Sequence, residues 1–222
     1  MCFITIEGNT IVNRKPTTLE IDAIHQYTAT TALGASTVRN NPEDTARIAR
    51  EFLKSVAPTE LRALTKHEFP DWLNEKTTEL QNCLAQNTSI KRRAEKRPGP
   101  GIITRENRFG LSRKILNIYL HNCYFNRILN ERCKLERFRD LYEVPIDNDT
   151  QEWIIHLARE AELDVKPIAN KVAIYKLTPS RNSLLQICAE DIASLLGTSR
   201  VFLDPLFYRQ DDADFYFVNE FV

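Results

Sequence analysis

Six glycines and ten prolines in 222 residues leave little room for collagen-like sequence or low-complexity tracts, and no internal repeat is visible. No apolar run approaches the roughly 20 residues that cross a bilayer. The first residues, MCFITIEGNT, lack the basic start and longer apolar core of a secretory leader. A cytoplasmic location with no membrane attachment is therefore expected. The five cysteines (Cys2, Cys83, Cys123, Cys133, Cys188) are odd in number, widely spaced and form no CxxC pair. That argues against a zinc or iron–sulfur centre and for reduced, mostly buried thiols. His25, His67, His121 and His156 are scattered without metal-ligand spacing. No metal and no other cofactor is expected.

Net charge is also absent, with 30 basic residues against 30 acidic ones. The balance hides an asymmetry. Between Ile90 and Lys114 stand nine basic residues: Lys91, Arg92, Arg93, Lys96, Arg97, Arg105, Arg108, Arg113 and Lys114. Only Glu95 and Glu106 oppose them, a local excess of seven. Such a segment on a neutral chain is either a solvated face or a local footprint for a polyanion such as DNA. It runs directly into FGLSRKILNIYLHNCYFNRIL, which opens with a glycine turn at Gly110 and whose apolar residues then cover most sides of a helix. A helix of that kind is buried, and its N-terminal N–H groups from Gly110 to Lys114 form a natural phosphate site.

The remaining chain reads as mainly α, one mostly helical domain over residues 1–222. Two lobes, 1–90 and 105–222, could be joined by the basic Pro98-Gly99-Pro100-Gly101 loop. Cys2–Ile6 suggests a short edge strand. Helices are expected over 19–33, from Asn41-Pro42, from Pro58, from Phe69-Pro70 to about residue 85, and from Leu111 to about Arg132. Leu135–Tyr142 reads as a shorter helix. Asp149 or Thr150 should cap a helix over 151–163, and Gly197 should stop another over 183–196. Lys171–Leu177 has the alternation of a short strand or an extended loop.

Two stretches, Gly110-Leu111-Ser112-Arg113-Lys114-Ile115-Leu116-Asn117 and Val144-Pro145-Ile146-Asp147, resemble the helix-hairpin-helix DNA glycosylases, the superfamily of endonuclease III and the 8-oxoguanine glycosylases. Those enzymes carry Gly-x-Gly-x-Lys before an apolar helix, then a short apolar element ending in Asp. Here Ser112 replaces the second glycine, Lys114 and Asp147 are 33 residues apart, and Asp147-Asn148-Asp149 lacks the family's Asp-x-His. No iron–sulfur cysteine cluster follows. The resemblance implies a helix-hairpin-helix at a DNA-facing cleft and a monomer acting on duplex DNA. Asp147 would stabilise an oxocarbenium-like sugar, and Lys114 would form a Schiff base if the enzyme also cuts the strand. Gly110, Ser112, Arg113, Arg108 and Arg105, with the upstream lysines and arginines, would hold phosphates. Trp153, Tyr119 or Tyr124 would face the flipped base.

Blander roles are open for each residue. Asp147 also suits a plain helix cap, Lys114 a phosphate contact, and Trp153 a core position. Two other functions compete. One is a non-catalytic nucleic-acid-binding or adaptor protein. The other is a Mg-dependent nuclease using Asp204, Asp211, Asp212 and Asp214.

Overall fold

The computed structural model describes residues 3–7, 10–33, 43–86 and 108–208. Strands β1 (Phe3–Glu7) and β2 (Thr10–Arg14) pair antiparallel. The rest is helical: α1 (Thr18–Thr31), α2 (Glu43–Ser55), α3 (Pro58–Ala63), α4 (Phe69–Gln86), α5 (Phe109–Phe125), α6 (Arg127–Cys133), α7 (Asn148–Glu160), α8 (Pro179–Leu195) and α9 (Leu203–Tyr208). A seven-residue 3-10 helix lies at Leu135–Leu141, and single 3-10 turns at Lys166–Ile168, Ile174–Lys176 and Arg200–Phe202. Among the described residues no helix is long and apolar enough to cross a membrane. The expected Pro98–Gly101 loop, and the basic residues Lys91, Arg92, Arg93, Lys96, Arg97 and Arg105, lie outside the described residues, as do Asp211, Asp212 and Asp214.

Local chemistry sets the helix ends. Thr17 and Glu20 form a reciprocal capping box at the start of α1. Thr65 and Glu68 exchange the same pair of bonds just before α4. Helix α5 is the hub. Leu111, Ile115, Leu116, Tyr119, Leu120 and Cys123 are all buried against α1, α2 and α4. Each such side chain removed from water contributes about 1.5–3 kcal/mol.

Two expectations change. The central helix stops at Asn126 instead of running to Arg132. Asn126 turns extended, and its side chain accepts from the N–H groups of Ile128 and Leu129, so it caps a new helix, α6. Helix α7 begins at Asn148 with Asp147 as its cap, ahead of Asp149 and Thr150. Lys171–Leu177 takes the loop alternative, with a 3-10 turn at Ile174–Lys176. Apolar packing forms two cores among the described residues. One core collects residues from α1 through Tyr142, with Val201; a second collects Val144 through Phe207. The division falls at Glu143, so α5 belongs with the helices before it.

A candidate active site in the seam between two cores

Helix α5 is apolar on the side that faces the first core. On its other side Gly110, Arg113, Lys114, Asn117 and His121 recur at three- and four-residue intervals, which puts them on one face. That face meets the extended segment 142–147, the start of α8 and the turn at Ile174–Lys176. All five residues are buried. Gly110 is no turn residue. It sits inside the first turn of α5, where an added Cβ would come 2.2 Å from the Ile174 carbonyl oxygen and 2.8 Å from Leu177 Cβ. Glycine is needed there for close approach.

Glu143 is the centre of one half of the seam. Its carboxylate accepts from Arg113 Nε at 2.8 Å and from Arg113 Nη2 at 2.6 Å. It also accepts from Asn117 and Asn182, each at 3.2 Å. Arg113 donates further to Thr77 on α4 at 3.0 Å. Burial pushes the Glu143 carboxyl up, but the Arg113 bonds and charge, with the two amides, bring it below the ordinary value. The next residue is held as firmly: Gln186 accepts from the Val144 N–H and donates to its carbonyl. The His121 Nε2–H donates to the Glu143 carbonyl at 2.9 Å, and burial lowers that imidazole to about 4, leaving it neutral.

The other half of the seam is more open. Lys114 Nζ donates to Asp147 Oδ2 at 2.9 Å, with the two side chains 10% and 21% exposed. The other Asp147 oxygen accepts from Thr150 N at 2.8 Å, as a helix cap. Burial pushes this carboxyl up, yet the Lys114 charge and the Thr150 bond outweigh it and hold it below the ordinary value. Asp204, in the first turn of α9, goes the opposite way. Burial and then the Asp147 charge raise it to about 6, against a lowering pull from Lys114.

Asp147 stands at the edge of a cavity of about 640 Å³ whose walls include Trp153, His156, Arg159, Lys171 and Phe207. The Trp153 and Phe207 rings lie nearly parallel, 14° apart with centroids at 6.4 Å. The volume suits a small planar ligand.

The two residues marked as reactive are thus in direct contact, and Trp153 lines the adjoining cavity. The other aromatic candidates are core residues. Tyr119 is fully buried in the first core and shares a 2.6 Å hydrogen bond with His25 Nε2, and the Tyr124 hydroxyl donates to Glu136. Arg113 is committed to Glu143, and Ser112 is fully buried on the far side of α5. Arg108 is only 3% exposed and burial lowers its guanidinium. None of these three side chains stands on the surface as a phosphate contact. Sequence reading missed Glu143 and Asn182. A signal for the hub was present in the polar spacing 113–117–121 on an otherwise apolar helix.

Comparison with family models, with curated proteins and with solved structures finds no match. The cysteines at 83, 123, 133 and 188 are free thiols. Among the described residues no three His, Cys, Asp or Glu side chains converge as a metal site. The seam brings together an amine and an ionised carboxylate, Lys114 and Asp147, whose charges act on a second carboxyl, Asp204. Such a set can stabilise developing positive charge, move a proton, and add to an aldehyde.

Proposed function

We propose that this protein is a DNA N-glycosylase that removes a flipped, damaged or modified base. One observation carries the reading: Lys114 and Asp147, 33 residues apart in the chain, meet at 2.9 Å beside a cavity with an aromatic wall. Breaking the bond between C1′ and the base nitrogen sends the electron pair out with the base and leaves positive charge on the sugar. An ionised carboxylate beside C1′ stabilises that charge. Asp147 is suited to this because Lys114 and the helix N-terminus keep it ionised. Water then adds at C1′ to give the abasic site. With its proton released, Lys114 can instead add to the C1′ aldehyde of that site, expel water and form the Schiff base that precedes strand cleavage. Near-parallel Trp153 and Phe207 provide an apolar wall for the extruded base. The basic run from Lys91 to Arg105 supplies charge for the phosphates, ahead of α5 in the chain. The reading includes a monomer acting in the cytoplasm without a cofactor.

The test uses purified protein in EDTA with DNAs carrying deaminated, oxidised, alkylated and hypermodified bases. An aldehyde-reactive tag reports abasic sites for wild type, Asp147→Asn and Lys114→Ala. The expected result is abasic sites that vanish in Asp147→Asn, with any strand breaks lost in Lys114→Ala while base release persists. Salt-sensitive DNA binding without base release on any substrate would favour a binding module. Activity that EDTA abolishes would favour a metal-dependent nuclease.

A further inference from the structure

We propose that the end of the cavity remote from Asp147, around His156, Arg159 and Lys171, is a second subsite that takes a hydroxyl-rich appendage carried by the base. The proposal rests on the glycosylase reading and narrows its substrate class. The substrate it implies is a base enlarged by a sugar-like group, joined on the side away from C1′.

The length of the cavity carries this. Its lining residues Asp149, Glu152, Trp153, His156 and Arg159 lie at three- and four-residue steps along α7, so they share one face. That face runs from the start of the helix, where Asp147 is the cap, to its last turn. At about 1.5 Å of rise per residue, Trp153 stands roughly 9 Å along the helix from Asp147, and Arg159 roughly 18 Å. A nucleobase is one or two fused rings and spans little more than one helical turn of about 5.4 Å. With Asp147 beside C1′, the base therefore ends against Trp153 and Phe207. His156 and Arg159 lie beyond its reach, roughly one and two turns further along α7. The cavity volume of about 640 Å³ agrees, because it leaves room beyond a single base.

The far end is polar, and two elements build it. Arg159 Nη2 donates to the Ala169 carbonyl at 3.1 Å, and Lys171 pairs with Glu152. Both bonds tie the 169–171 loop to α7. Gln151 ties the next residue, accepting from the Val172 N–H and donating to its carbonyl. The loop wall is thus set in place before any ligand arrives. A guanidinium has five N–H donors, and the Ala169 bond takes one of them. Glu152 supplies acceptors beside the Arg159 and Lys171 donors. His156 stands edge-on to Trp153, with ring centroids at 6.2 Å, and continues the polar wall from the aromatic one. A hydroxyl donates one hydrogen bond and accepts two, so a polyol matches a wall of mixed donors and acceptors. An apolar appendage would strip water from these charges and replace none of its bonds.

The experiment compares kcat/KM for base release from duplexes that differ at a single cytosine. The cytosine is 5-hydroxymethylated, or carries glucose on that hydroxymethyl group, or carries a 5-alkynyl chain of similar length. Bases of ordinary size (uracil, hypoxanthine, 8-oxoguanine) complete the set. The glucosylated base should be released best, by roughly 10- to 100-fold over the hydroxymethyl and alkynyl bases. Arg159→Ala should bring that ratio close to one, chiefly through KM. Ala169→Leu narrows the far end while keeping Arg159, and it should erase the same preference. A preference kept in both variants would overturn the subsite and leave the glycosylase reading standing. So would equal release of the alkynyl base, or best release of a base of ordinary size. No base release by wild type from any of these DNAs would overturn the glycosylase reading and this proposal together.

Discussion

Glu143 and Asp204 are both carboxyls at the seam, and they are treated in opposite ways. Glu143 receives four hydrogen bonds from three side chains and is held below its ordinary value. Asp204 receives none among the described residues and is raised to about 6. The difference separates structure from chemistry. A fully satisfied buried charge fixes its neighbours in one arrangement, whereas an under-satisfied one keeps a proton available for transfer. Asp147 lies between the two in character, ionised and bonded, yet at the edge of a cavity.

The contrast is broken most severely at the Glu143 end. Arg113→Ala leaves Glu143 buried without its bidentate partner and should cost about 3–5 kcal/mol, read by urea denaturation. Gly110→Ala should also destabilise, by about 1–3 kcal/mol, because the new Cβ meets the Ile174 carbonyl and the turn must move. Helix propensity alone would favour alanine there, so a stabilised variant would refute the close-approach account.

At the Asp204 end the sign reverses. Its raised pKa means that ionising it costs stability as pH climbs from the ordinary carboxylate range through about 6. Asp204→Asn should therefore be more stable than wild type at pH 8, by on the order of 2 kcal/mol, with the gain gone by pH 4. His121 acts in the opposite direction. Held neutral down to about 4, it supports the fold above its ordinary 6.5 and loses that support as pH falls toward 4. The two effects oppose each other between pH 4 and 6, so wild type should vary less across this range than Asp204→Asn, which keeps only the His121 loss. The smallest effect is expected outside the seam. Tyr124→Phe removes one bond to Glu136 and should cost about 0.5–1.5 kcal/mol with no change in base release.

Much of the fold was legible from the sequence. The burial of α5 followed from apolar residues on most of its sides, and the Pro58, Phe69-Pro70 and Gly197 signals marked real helix ends. The break at Asn126 was legible too but was outweighed by the apolar run, although Asn is a strong cap. Gly110 was misread because a glycine for close approach and a glycine for a turn look alike in one dimension. Lys114 and Asp147 stood out through short local patterns. Glu143 did not, because its meaning depends on partners such as Asn182, which is 39 residues away in the chain. Tyr119 and Tyr124 were aromatic residues on a helix whose apolar face is the core, and packing claimed them.

The most direct measurement of the central claim pairs two readouts on the same samples of wild type and Asp147→Asn: thermal melting and abasic-site formation in EDTA. Asparagine preserves the helix cap, so the melting temperature should drop by only a few degrees while abasic sites disappear. Abasic sites formed at the wild-type rate by a well-folded Asp147→Asn would contradict the account, and Asp147 would then be a helix cap and nothing more.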